Sequence, residues 1–201
     1  PQICKCQGVD TIVEIVKRYP QHVGIQHQAL RFISGMGGSP EALQRLIHCG
    51  CLEAAMTSMK TLPMEVEVQL HGCYALGQIA APMEIKTRLL QNGGMTTLLE
   101  AMQLHPKDQH IHEQAAAALS IVCELDSAKE ALTHLKVGHK GHEVSATHLV
   151  CHSLATMYVH PDAIKQVLKL TALVALSEQT KVVLRQGPPP AFESVTVALK
   201  Q

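Results

Sequence analysis

The stretch Asn92–Leu125, NGGMTTLLEAMQLHPKDQHIHEQAAAALSIVCEL, decides how the chain is read. Two glycines open it, an apolar-patterned segment of helical period follows, and His105-Pro106 interrupts. Pro106 has no backbone N–H and a fixed φ, so it separates two helices rather than sitting inside one. The second helix carries Ala115, Ala116, Ala117 and Ala118, whose small side chains let it approach its neighbours closely. One such hairpin cannot bury its own apolar faces and needs copies stacked against it.

The copies are in the chain. Ile111–Val122 lies over Val68–Ile79 when moved back 43 residues, and over Ile25–Met36 after 43 more. Leu119 then falls on Leu76 and Ile33, and Ala118 on Ala75. Pro20, Pro63 and Pro106 keep the same interval, while Gly8, Gly50 and Gly94 read as unit openers 42 and 44 residues apart. A period near 43 belongs to helical solenoids. The units run over about 8–49, 50–93, 94–137 and 138–186, with a partial fifth at 187–201, all in one helical repeat domain.

Each unit has the same grammar: a helix, a proline break, an inner helix and a short linking helix. Ser39-Pro40-Glu41 reads as one start of a linking helix: an N-cap serine, a first-turn proline and an acid at the positive end. The fourth unit departs from the period. His160-Pro161-Asp162 echoes His105-Pro106-Lys107-Asp108 at an interval of 55, and Leu173 follows Leu119 by 54. The extra residues are expected at Val137–His142 and in the helix after it. A short helix at 177–186, a stiff Pro188-Pro189-Pro190 break and a last helix from Phe192 complete the expected order.

Composition narrows the function. The 201 residues are 46% apolar but only 2% aromatic, so the core is aliphatic. Net charge is zero with histidine neutral, which disfavours nucleic acid and anionic membranes as partners. No apolar run approaches the ~18 residues of a membrane span. Seven cysteines, with Cys73 and Cys123 inside apolar helices, point to reduced thiols and a cytoplasmic or nuclear setting. Residues Pro1–Gln7 look like the tail of an earlier helix, so the chain is expected to be a fragment of a longer protein.

Motifs for catalysis fail on inspection. His112-Glu113 and His142-Glu143 would need a second histidine at 116 or 146, where Ala116 and Ala146 stand. Gly35-Met36-Gly37-Gly38 has no preceding strand and no Gly-Lys-Ser ending, and reads as a helix stop. Cys4, Cys6, Cys49 and Cys51 form no CxxC pair. Glu65 and Glu67 read as a solvated helix start. A minor metal reading places His148 and His152 on one helical face beside Cys151, with His139 and His142 upstream. No cofactor is implied.

The opening glycine, Pro106 and the Ala-rich Ile111–Val122 segment resemble the armadillo repeat family, well over Gly8–Lys136 and loosely over Val144–Gln186. HEAT repeats are the nearest rival; the short third helix and the opening glycine favour armadillo. The resemblance implies an all-α fold: a right-handed α-solenoid of about four repeats with a concave groove that binds peptides or partner proteins. Importin-type members read basic peptides with a Trp and Asn ladder. Here the Trp-like positions hold Arg31, Tyr74, Ala117 and Thr171, and the Asn-like positions Gly35, Gln78, Ile121 and Ala175, so that ladder is absent. The strongly basic groove of catenin-type members is missing too.

The expected function is a non-catalytic scaffold that takes a peptide or helical partner along the inner helices. The residues expected to contact it are His27, Arg31, Leu70, Tyr74, Gln78, Glu113, Ala117 and Ile121, on the side turned away from the Leu76/Leu119 register. The alternative is a structural module of a larger protein that self-associates through its terminal repeats.

Overall fold

A computed structural model of the chain describes residues 8–36, 40–139 and 142–174. The described residues are mostly helical, with eleven helices and one short strand pair. The sequence expectations for Cys4, Cys6, Gly37, Gly38, Ser39, Ala175, the 177–186 helix and everything after it lie outside them.

The first nine helices form three triplets. They are α1 Gly8–Arg18, α2 Val23–Met36 and α3 Pro40–His48; α4 Cys51–Thr61, α5 Val66–Ile79 and α6 Met83–Gln91; α7 Gly94–Leu104, α8 Gln109–Val122 and α9 Asp126–His134. Every helix starts and ends 43 residues after its counterpart. Pro20, Pro63 and Pro106 sit in the turn after the first helix of each triplet. The Asp108 carboxylate accepts from the N–H groups of His110 and Ile111, both at 3.0 Å, and so caps α8.

The glycine markers need a correction. Gly50 and Gly93, not Gly94, take the left-handed backbone, at φ 76° and 74°. They too are 43 apart. Each precedes a first helix, where a side chain would be strained. Gly94 is the opening residue of α7 and stands where Cys51 opens α4.

Two rows of helices carry the packing. The first helices α1, α4, α7 and α10 touch in that order, and the longer helices α2, α5, α8 and α11 do the same. Here α10 is Ala146–Met157 and α11 is Pro161–Val174. Ile33, Leu76 and Leu119 are all fully buried in one continuous core. Ala115, Ala116 and Ala118 are fully buried as well, whereas Ala117 is half-buried.

A buried polar clamp recurs inside the triplets. Gln26 Nε2 donates to the carbonyls of Val16 and Tyr19, both at 2.9 Å. Gln69, 43 residues on, donates to Met59 at 2.8 Å and Leu62 at 3.0 Å. These acceptors are also 43 apart. The amide closes the end of one helix onto the side of the next and satisfies carbonyls that the helix end leaves open. In the third triplet the position holds His112, facing Met102 and His105.

Between α9 and α10 the chain forms a hairpin, β1 Lys136–His139 and β2 His142–Ser145, paired antiparallel with Val137 opposite Val144. Val137 is buried, and β1 packs on α7. Strands were not foreseen in an all-α chain.

The fourth-unit register also differs from the expected 54–55. Helix α10 starts 52 residues after α7, and α11 starts and ends 52 after α8. Burial follows this shift: Ala146, Thr147, Leu149, Val150 and Cys151 repeat the buried pattern of Gly94, Met95, Thr97, Leu98 and Leu99. Nine extra residues therefore reside in the hairpin segment. Pro161 misled the alignment because it is the first residue of α11, where a missing N–H costs nothing, and not a turn residue. Thr171 takes the place of Leu119 and is buried, so it is not a groove position.

The thiols of Cys51, Cys73, Cys123 and Cys151 are reduced and buried. Burial pushes Cys51 and Cys123 up to about 12 and Cys151 to about 11, which keeps them protonated and unreactive at neutral pH. No helix among the described residues is long and apolar enough to cross a membrane.

Candidate partner-binding face

The eight residues singled out from the sequence lie on three successive helices: His27 and Arg31 on α2, Leu70, Tyr74 and Gln78 on α5, Glu113, Ala117 and Ile121 on α8. Arg31 and Tyr74 are exposed and the other six are half-buried. Their helical spacing of four places them on one stripe of each helix, while Ile33, Leu76 and Leu119 fill the opposite stripe.

Tyr74, Gln78, Ala117 and Ile121 meet in one cleft of about 280 Å³ between α5 and α8, closed on one side by Leu43 of α3. Gly77 faces Ala118 across the cleft: a Cβ built on it would lie 3.5 Å from the Ala118 Cβ, an ordinary contact. Its walls are apolar at Ile121, Ala117 and Leu43, amphipathic at Tyr74, and amide-bearing at Gln78 and Gln114. The cleft thus combines an aromatic ring, an aliphatic floor and two side-chain amides. Sequence reasoning missed Leu43, Gly77 and Gln114. Gly77 carried a readable signal, being the one glycine where the matching positions hold Ser34 and Ser120.

His27, Arg31, Leu70 and Glu113 lie outside the lining of that cleft. Leu70 rests on the core, and Glu113 accepts a 3.2 Å hydrogen bond from Gln114. His27 instead faces His71 of α5, the two rings stacking with centroids 5.1 Å apart and planes 18° from parallel. Glu67, one turn before His71, brings Oε2 to 3.7 Å from His27 Nε2 and 3.8 Å from His71 Nε2. Burial, then the charge of His27, pushes the His71 imidazole below its usual range; Glu67 pulls the other way, and Arg31 adds a smaller push downward.

Two further clefts lie along the row of first helices. One, of about 460 Å³, is lined by Met59, Lys60, Pro63, Gln69 and Glu100 among others. The other, of about 200 Å³, is lined by Val16, Lys17, Pro20, Gln26 and Thr57 at positions 43 lower. A cavity that recurs with the helix interval is a by-product of how first helices stack. Both are weaker candidates than the cleft at Tyr74, although the first is larger.

Of the minor metal reading, the side chains of His139 and His142 lie outside the described ones. Cys151 is buried while His148 and His152 are exposed on α10. Among the described residues, the group that gathers three possible ligand atoms within 4.8 Å is His27, Glu67 and His71.

No protein-family model matches the chain, and no curated protein matches it.

Proposed function

We propose that the chain is an armadillo-like right-handed α-solenoid serving as a non-catalytic scaffold, with a partner segment docking along the exposed stripes of α2, α5 and α8. The observation that carries this reading is the cleft between α5 and α8. Tyr74, Gln78, Ala117 and Ile121, chosen from helical position alone, line it together. Support for the solenoid comes from the 43-residue recurrence of three helix types through the first three triplets, and from the two ordered rows that continue into α10 and α11. The partner is an extended or helical peptide with an apolar anchor for the Tyr74–Ile121 cleft and backbone groups for Gln78 and Gln114.

A displayed random-peptide library tests it. The wild-type chain is expected to enrich a consensus with one large apolar anchor. Ile121→Glu and Tyr74→Ala are expected to weaken the best peptide at least tenfold while leaving the helical circular-dichroism spectrum unchanged. Peptides that bind both variants as tightly as wild type would remove this cleft from consideration.

A further inference from the structure

We propose that His27, Glu67 and His71 form a zinc site that staples α2 to α5. Three potential ligand atoms converge within 4.8 Å of one another. The two imidazole-to-carboxylate separations, 3.7 and 3.8 Å, are too long for hydrogen bonds. They are close to the ~3.4 Å edge of a tetrahedron built from ~2.1 Å zinc–ligand bonds. Glu67 and His71 stand four apart on one helix, so a shared ion is within reach of both, and His27 completes the set from the neighbouring helix.

The donor set suits zinc chemically. Two imidazoles and one carboxylate are ligands of the intermediate softness that zinc takes, and three protein ligands leave a fourth position for water. Magnesium prefers an all-oxygen octahedron and finds only one carboxylate here.

The trio is not a by-product of the recurring helices. The positions matching His27 hold Leu70 and Glu113, those matching His71 hold Gln28 and Gln114, and those matching Glu67 hold Gly24 and His110. No other triplet among the described residues repeats the combination. Those same matching residues supply substitutions that the helices already accommodate.

The test uses the full chain, stripped with chelator and titrated with zinc chloride in a calorimeter. One zinc per chain is expected, with a zinc-dependent rise in melting temperature that magnesium does not produce. His27→Leu and His71→Gln are each expected to weaken zinc binding at least tenfold and to abolish the thermal shift, with the zinc-free circular-dichroism spectrum retained. His148→Ala/His152→Ala should bind as wild type does. Zinc affinity unchanged in both single variants, affinity lost in the His148/His152 variant, or the absence of one-to-one saturation would each overturn the site.

Discussion

At position 112 the chain carries histidine where the two preceding triplets carry glutamine, and its surroundings keep the acceptors that glutamine would use. Both ring nitrogens of His112 are buried without a well-formed hydrogen bond. The carbonyls of His105 and Met102 favour its protonated form, but burial outweighs them and pushes its pKa from 6.5 down to about 4, with nearby His152 adding to the fall. The folded chain therefore holds a neutral ring over a range where the unfolded chain is protonated. Stability from this residue is complete above pH 6.5, declines as pH drops toward 4, and is flat below that. At about 1.4 kcal/mol per tenfold change in proton affinity, the whole loss is roughly 3 kcal/mol. His112→Gln recreates the clamp of Gln69 and is expected to raise stability at pH 7 by about 1–2 kcal/mol. Urea melts at pH 7.5 and 5.0 check this: the advantage of the variant should widen at the lower pH. An equal advantage at both would mean that His112 does not titrate as its burial demands.

Among elements, the hairpin offers the sharpest contrast with the helices around it. Val137 is its buried side chain, pinning β1 onto α7. Val137→Ala is expected to cost about 1–2.5 kcal/mol in a denaturant melt if the hairpin is an integral part of the core. A cost below ~0.3 kcal/mol would mark it as a loose insertion. The helices were legible in the sequence because three independent cues agreed: prolines in turns, apolar residues at helical spacing, and alanines on the packing face. The hairpin was not, because Lys136–His139 and His142–Ser145 are only four residues each, with Gly138 and two histidines among those eight. Pro161 hid the fourth-unit register, since a proline at a helix start and a proline in a turn look alike in one sequence. The clamp escaped notice because nothing in the sequence separates a buried glutamine or histidine on a helix from an exposed one. The histidine–glutamate trio escaped for another reason: His27 lies forty residues before Glu67 and His71, at a different position of the recurring pattern, and only the packing of α2 on α5 unites them. Of the candidate face, the stripe follows from helical spacing in the sequence, whereas the cleft arises only from how α5 and α8 pack and could not be read there.

For the whole molecule, the arrangement of two helix rows makes a claim about how energy is shared. In a stacked array each helix row interacts with its immediate neighbours, so perturbations should couple between adjacent triplets and fade beyond them. Ile33, Leu76 and Leu119 are fully buried on α2, α5 and α8, the first packing next to the second and the second next to the third. Ile33→Val is expected to cost about 0.5–1.5 kcal/mol, and Leu76→Ala or Leu119→Ala about 2–5 kcal/mol each. Ile33→Val combined with Leu76→Ala should depart from additivity by at least ~0.5 kcal/mol, because both edit one interface. Ile33→Val combined with Leu119→Ala should be additive within that margin, since a whole helix separates them. Urea denaturation of the five variants measures every term. If the separated pair couples as strongly as the adjacent pair, the three residues share one undivided core, and the row-by-row account of the chain, with the peptide-binding stripe that follows from it, gives way.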